Sequence, residues 1–295
     1  CLCLLLTPLA QSEVSQKADS LSRLAKEYVL LGLAVAKSDK TQYLYLGPEP
    51  WREQAARDTR SLTELQKDLQ QLRQRLNALP APDNELTLLR KQLLEARVVA
   101  SMTRASILQG KLPASFDEET RLMFGVILPE RSEAHFLALA EELEQIIPGE
   151  GDLSERMALF REQFVIPPQR LNIVMNRALE ECQRRTSLNL QLPENESVQL
   201  NITRDKPWVG FTQYHGDSVS TVHINRDVSV HIERALELGC HEGYPGHHTH
   251  ATLLQEELIN RRGWMEYSFI PLYGPQAVVA EGIASYAPFM AFTDA

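Results

Sequence analysis

Residues 240 to 250 read CHEGYPGHHTH, and no other part of the 295-residue chain holds metal-ligand side chains at this density. Seven of the eight histidines lie between His215 and His250, and only His135 lies elsewhere. Neutral imidazole is the commonest metal ligand in proteins, so this crowding indicates a bound metal ion. We interpret His241 as a ligand and Glu242, the next residue, as the general base of a zinc hydrolase. The alternative is a polar core pair in a protein without catalysis.

The spacing after His241 differs from the H-E-x-x-H helix of many zinc peptidases. Pro245 and Gly246 must end or kink the helix that carries His241. On an unbroken helix His248 would lie roughly 10.5 Å further along the axis, two turns away. Zinc requires each ligand nitrogen within about 2.1 Å. The chain therefore has to bend at Pro245-Gly246, and the spacing leaves open whether His247 or His248 is the second ligand.

A third ligand is expected from a later helix, and Glu281 is the best candidate. It lies 39 positions after Glu242 and opens a helical run of small residues, with Ser285 on the same face. The alternative role for Glu281 is that of an acid near a helix N-terminus, where the helix dipole favours it. Glu237, one turn before His241, could compete as a ligand, but it is more simply a solvated carboxylate.

Two motifs carry a resemblance to a known family. The motifs His-Glu-x-x-Pro-Gly-His-His, which begins at His241, and Glu-Gly-x-Ala-x-Tyr, which begins at Glu281, are similar to those of a bacterial family catalogued as domain of unknown function 885. The first motif matches at every fixed position, and the second has Ile283 where the family usually has tryptophan. The resemblance is specific over roughly residues 205–290. Members of this family are regarded as zincin-like peptidases and are often exported.

The resemblance implies a zincin-like α+β catalytic region that binds Zn2+ and cleaves peptide bonds. Its metal ligands would be His241, Glu281 and one of the pair His247 and His248. Glu242 would take a proton from water, and Tyr286 would donate a hydrogen bond to the developing oxyanion. Family members usually continue beyond the second motif, so we expect the metal-site region at 191–295 to be truncated at its C-terminus.

The remaining polar candidates have smaller expected roles. Tyr244 is a second candidate for the oxyanion donor. His215, in a predicted turn between strands, is a candidate for a hydrogen bond to substrate, whereas His223 is expected to be half-buried on a strand. His231 and His250 are expected to lie outside the ligand set.

Composition narrows the classes of partner. The net charge of −9, with no basic run, argues against nucleic acid or an anionic membrane surface as partner. No stretch approaches the roughly 20 apolar residues of a membrane span. Residues 1–10 resemble the end of a signal peptide, which predicts export to the periplasm or the extracellular space; the alternative is a short buried helix end. Cys182 and Cys240 could pair in an oxidising compartment, but two buried thiols are the favoured interpretation.

The rest of the chain predicts a mainly helical protein. Apolar residues three and four positions apart predict long helices over residues 12–37, 51–79 and 84–111, packed in a bundle within a helical region at 11–190. Shorter helices separated by prolines are predicted at 116–127, 131–147, 153–165 and 169–185. The leucine stripe of the second helix fits a bundle better than a coiled-coil partner surface.

A small antiparallel sheet is predicted immediately before the histidine-rich segment. Alternating polar and apolar residues predict strands at 197–203, 209–214 and 218–225. Further segments follow in order: a helix at 229–242, a helix at 246–262, an aromatic loop at 263–275 and a final helix at 276–292. An edge strand above a zinc site would let an extended peptide pair with it.

Two non-enzymatic interpretations stay open beside the peptidase. One is an exported helical protein that binds metal without turnover, and the other is a scaffold whose N-terminal helices bind a partner. A carboxylate-bridged di-iron bundle needs Glu-x-x-His motifs, and the chain has none. The sequence does not indicate the oligomeric state or the peptide that would be cleaved.

Overall fold

The computed structural model describes residues 8–40, 42–82 and 84–293, with side chains from residue 20 onward. The described chain is mainly helical with small sheets, as predicted. It divides into two compact units, one of residues up to Leu128 with Leu254–Val279, the other of Pro129–Leu253 with the residues from Ala280 on. The predicted boundary at residue 190 differs from this division, because the last helix before it packs with the sheet that follows.

The first unit is built around a helical core. Its helices are α1 (Pro8–Ala36), α2 (Glu49–Ala56), α3 (Leu62–Ala78), α4 (Glu85–Leu108) and α5 (Phe116–Phe124). The core joins α1, α3 and α4. It encloses four leucines of the predicted stripe, namely Leu65, Leu69, Leu72 and Leu76, and the fifth, Leu62, is partly buried against it. The stripe is therefore part of a bundle, as predicted. Of the predicted signal-peptide remnant, residues 1–7 lie outside the described residues and residues 8–10 begin α1.

The single helix predicted over residues 51–79 is wrong. The chain breaks between α2 and α3, and α3 begins with a capping box in which Ser61 and Glu64 satisfy each other's backbone N–H groups. Asp58 accepts the backbone N–H of Arg60 and stabilises the turn. The apolar residues Trp51, Ala55 and Leu62 keep helical spacing across this break, which is why periodicity alone predicts one helix.

A short two-stranded antiparallel sheet, formed by segments far apart in the chain, completes the first unit. Strand β1 (Tyr43–Tyr45) pairs antiparallel with β5 (Phe269–Pro271), and neither strand was predicted. Phe269 is fully buried in the helical core. Gly32 on α1 permits this approach, because a Cβ there would lie 2.4 Å from the Phe269 ring. A buried ion pair between Arg90 and Glu266, 2.5 Å from Nε to Oε1, also lies within this unit.

The second unit combines helices with a three-stranded sheet. Its elements are α6 (Glu133–Ile146), α7 (Leu153–Glu162), α8 (Leu171–Thr186), β2 (Ser197–Thr203), β3 (Gly210–Gly216), β4 (Val219–Asn225), α9 (Ile232–Leu238), α10 (His247–Leu254) and α11 (Pro275–Ala291). The last residue of α10 and the first five residues of α11 are assigned to the first unit. Residues of α8 and α9 pack against Val222 and Ile224 of the central strand β4. This packing fixes one face of the sheet against the helix that leads into the histidine-rich segment.

The sheet is mixed rather than antiparallel. Strand β3 pairs antiparallel with β4, but β2 lies on the other side of β4 and runs parallel to it. The prediction of an antiparallel sheet is wrong on this point, because alternation along a strand indicates a half-buried face and says nothing about the direction of its neighbour. His215 belongs to β3, and the turn consists of Asp217 and Ser218, both with positive φ.

Within the described residues, no helix is apolar over a length that could cross a membrane.

Candidate metal centre

Around His241 the backbone changes from an α-helix to a wider π-helical turn, and the chain then reverses direction. Helix α9 continues into a π-helical turn at Gly239–Gly243, and α10 begins only at His247. The N–H of Gly246 donates to the carbonyl of Cys240 at 3.0 Å. A Cβ on Gly246 would lie 1.9 Å from the carbonyl oxygen of His241, so only glycine allows the chain to fold back this closely. The predicted bend is present.

The bend brings three of the predicted ligands together. The His241 Nε2 atom lies 3.5 Å from Glu281 Oε2, and the His247 Nε2 atom lies 3.6 Å from Glu281 Oε1. One ligand atom from each of these residues lies within 4.8 Å of the other two. A tetrahedral zinc ion with bonds of about 2.1 Å places its ligand atoms roughly 3.4 Å apart. The separations of 3.5 and 3.6 Å are close to that value, so these three side chains form a group that could hold one metal ion.

The two neighbouring histidines have different surroundings. His247 turns its ring towards His241, with the ring centroids 4.7 Å apart and nearly perpendicular. His248 is 0 % exposed, and its Nδ1 and Nε2 atoms lie 2.8 Å from Ser220 Oγ and 3.0 Å from Glu196 Oε2. Of the two histidines that the spacing left open, His247 is the one that lies with His241 and Glu281.

Neighbouring charges and burial shift the pKa values of the three side chains in different directions. Contact with Glu281 raises the pKa of His241, while burial opposes that change. Burial lowers the pKa of His247 to about 4, so this ring is neutral near pH 7 and its nitrogen lone pair is available to a metal. The same contact with His241 lowers the pKa of Glu281, which keeps it a carboxylate.

Glu242 is held beside the sheet rather than in solvent. Only 5 % of the residue is exposed, and the Thr212 hydroxyl on β3 lies 2.7 Å from its Oε2 atom. A Cβ on Gly210 would lie 2.9 Å from Oε1, so this strand passes close over the carboxylate. Burial raises the pKa of Glu242 above its usual value, and the Thr212 hydroxyl lowers it in part.

A disulfide anchors the segment from its inner side. Cys182 on α8 is bonded to Cys240, the residue before His241, with a Cα–Cα distance of 5.4 Å. The favoured interpretation of two buried thiols is therefore wrong. Both cysteines belong to a buried cluster with Tyr244, Ala287 and Ala291, which also packs α11 against this segment. The sequence alone could not reveal the pairing, because it depends on α8 and the π-helical turn being adjacent.

Tyr286 and Glu237 are not joined to the three ligands. Tyr286 lies on α11, is 62 % exposed, and has its one described ring contact with Phe289. Glu237 pairs with Arg234 at 2.5 Å on the outer side of α9. Glu237 is therefore not part of the cluster of His241, His247 and Glu281, and the role of Tyr286 stays a prediction.

Four further histidines of the region have other partners or surroundings. His215 is exposed and lies 2.9 Å from the Thr221 hydroxyl, and His223 is half-buried on β4 as predicted. His231 precedes α9 and approaches Arg161, while burial lowers the pKa of His250. Neither His231 nor His250 belongs to the three-residue cluster found among the described residues.

Glu196 and Thr212 are the site residues that the sequence did not reveal. Thr212 carries no motif, and Glu196 lies in a turn before β2 with no spacing relationship to the histidines. Their contacts with Glu242 and His248 depend on how the sheet packs against this segment, which the sequence alone does not show. Two imidazoles and a carboxylate are a donor set of catalytic zinc sites, with Glu242 following as a candidate base. No family profile, curated protein or solved structure matches this chain.

Proposed function

We propose that this protein is a zinc-dependent peptidase of the zincin-like kind, in keeping with the resemblance of its two motifs. The observation that supports this most is the convergence of His241, His247 and Glu281 within 4.8 Å, with Glu242 directly following the first ligand. Bound there, zinc would supply Lewis acidity that activates water near neutral pH.

Glu242 is the proton carrier in this proposal. Its Oε2 atom is held by Thr212, and Oε1 makes no hydrogen bond to a described residue, so we assign Oε1 to accept the proton of the attacking water. Water adds to the peptide carbonyl carbon, the C–N bond breaks, and Glu242 passes the proton to the leaving amine. The raised pKa of this buried carboxyl suits both steps, because a general base works best with a pKa near the operating pH.

The sheet offers a place for a peptide backbone. Strand β3 forms one edge of the sheet and carries Thr212, the partner of Glu242. An extended peptide that added to this edge would run past the candidate base. Tyr286, on the same helix as Glu281, is the oxyanion donor that the motif suggests.

The cystine is consistent with export. Disulfides persist in oxidising compartments, and the bond between Cys182 and Cys240 lies next to the candidate ligands. We therefore propose a periplasmic or extracellular location.

The test combines metal content with turnover. We expect wild-type protein to bind one zinc ion and to cleave members of a mixed peptide pool. Glu242→Gln should retain zinc and lose hydrolysis, and Glu281→Ala should lose both. Glu237→Gln changes a half-exposed acid one turn before His241; it is the matched control and should resemble wild type. A Glu242→Gln protein as active as wild type, or wild type that binds zinc without cleaving any peptide, would leave the non-catalytic metal-binding interpretation.

A further inference from the structure

A single buried carboxylate lies behind the candidate ligands. Glu196 lies in the turn before β2, and its side chain is 8 % exposed. Three side chains donate to it: Tyr244 and His248 approach Oε2 at 2.5 and 3.0 Å, and Gln183 approaches Oε1 at 2.7 Å. A buried carboxylate is costly unless its oxygens are hydrogen-bonded, and these donors meet that requirement.

Two of these donors flank the bend that carries His247. Tyr244 precedes Pro245 and Gly246, and His248 follows His247 directly. The rings of Tyr244 and His248 also contact each other, with centroids 4.9 Å apart. One oxygen atom of Glu196 thus fixes both ends of a five-residue segment in which His247 is the only residue whose ring reaches Glu281.

The connectivity Ser220, His248, Glu196 is that of a hydrolytic triad, but it does not form a second active site. Ser220 and His248 are each 0 % exposed, so no substrate could reach the hydroxyl. The Ser220 hydroxyl at Nδ1 and the carboxylate at Nε2 instead hold both ring nitrogens of His248. The ring cannot rotate without losing a buried hydrogen bond, which costs free energy.

We propose that Glu196 is the positioning residue of the metal centre: through Tyr244 and His248 it sets the bend that directs His247 towards His241 and Glu281. This inference rests on the proposed zinc site, not on peptide hydrolysis. Groups that orient metal ligands typically change metal affinity by about 10- to 100-fold when they are removed. The carboxylate should act through the backbone of the bend rather than by touching the metal.

The test measures zinc affinity of folded protein, by competition with a chelating dye, well below the unfolding temperature. Tyr244→Phe removes one hydroxyl and Glu196→Gln removes one charge, and each should weaken zinc binding by about 10-fold or more. Because both changes weaken or remove the same hydrogen bond between Tyr244 and residue 196, the double variant should be weakened by less than the product of the two factors. The cobalt-substituted variants should also show altered visible absorption, since the second imidazole is displaced.

Tyr214→Phe is the matched control, since it keeps the ring that lies 6.5 Å from the ring of His248 and removes only the hydroxyl that accepts from the Ser218 N–H. It should leave zinc affinity and the cobalt spectrum unchanged. Unchanged zinc affinity in Glu196→Gln and Tyr244→Phe, or an equal loss in Tyr214→Phe, would overturn the positioning role. Wild-type protein that binds zinc but cleaves no peptide would remove the proposed function alone, and wild-type protein without zinc affinity would remove both.

Discussion

His247 approaches Glu281 to 3.6 Å between Nε2 and Oε1, whereas the ring of the next residue, His248, lies against Glu196 on the buried side of the same helix. The two adjacent histidines, about 100° apart around the helix axis, therefore face different surroundings. One is available to a metal, and the other stabilises the fold beneath it.

This difference predicts two separate phenotypes. His247→Ala should abolish tight zinc binding while changing the free energy of unfolding of zinc-free protein only slightly. His248→Ala should lower that free energy by about 3 kcal/mol, because it leaves a cavity and removes hydrogen bonds from buried Glu196 and Ser220. Urea unfolding of each zinc-free variant measures this free energy and distinguishes the two predicted effects. Equal stability losses in both variants would contradict the assignment.

Gly246 should not tolerate a side chain. In Gly246→Ala the new methyl group would overlap the His241 carbonyl oxygen, at a distance of 1.9 Å, and the bend would have to open. Zinc binding should be lost, and the thermal midpoint should fall by several degrees. Gly282→Ala is the control beside Glu281, since no atom lies within 4 Å of its added Cβ. That helical change should retain zinc and leave stability equal or higher by up to about 1 kcal/mol.

The disulfide should contribute substantially to the stability of the second unit. Cys182 and Cys240 are 58 positions apart, and closing a loop of this length stabilises by about 4 kcal/mol in the chain-entropy estimate. The double variant Cys182→Ala and Cys240→Ala should show that loss in urea unfolding. A reducing agent should destabilise wild type and leave the double variant unaffected; no response in wild type would show that the thiols are not paired.

Glu196 should make stability depend on pH in the acid range. Burial raises the pKa of Glu196, but its three hydrogen-bond donors outweigh this effect, so the folded-state pKa lies below the ordinary value of 4.5. Its contribution is therefore present above about pH 4.5 and is lost as the pH falls through the lower folded-state pKa.

The measurement is the free energy of unfolding of zinc-free protein from pH 7 to pH 3. Glu196→Gln should fall less steeply below pH 4.5 than wild type. Glu194→Gln, an exposed acid in the same turn, should retain the wild-type slope. Parallel curves for wild type and Glu196→Gln would contradict the role given to these hydrogen bonds.

Local patterns predicted much of the fold. The strand over residues 197–203 has the bounds of β2, and the proline and glycine of the histidine-rich segment correctly predicted its bend. Alternation and turn-forming residues are local signals, so they are readable without the rest of the chain. The break before Ser61 was missed because helical periodicity continues across it.

Features that depend on distant packing were not predictable. Whether His247 or His248 meets Glu281 depends on where α10 begins and on Glu196, which lies 52 positions before His248. The parallel direction of β2 and the pairing of Cys182 with Cys240 likewise depend on which elements are neighbours in space. The sequence indicated the candidate ligands, and the fold brings three of them together.

The most direct test of the central claim is an anomalous-difference map recorded at the zinc absorption edge from crystals of zinc-loaded protein. The account predicts one strong peak within about 2.1 Å of His241 Nε2, His247 Nε2 and a carboxylate oxygen of Glu281. A peak coordinated by His248, or no peak among these three side chains, would contradict it.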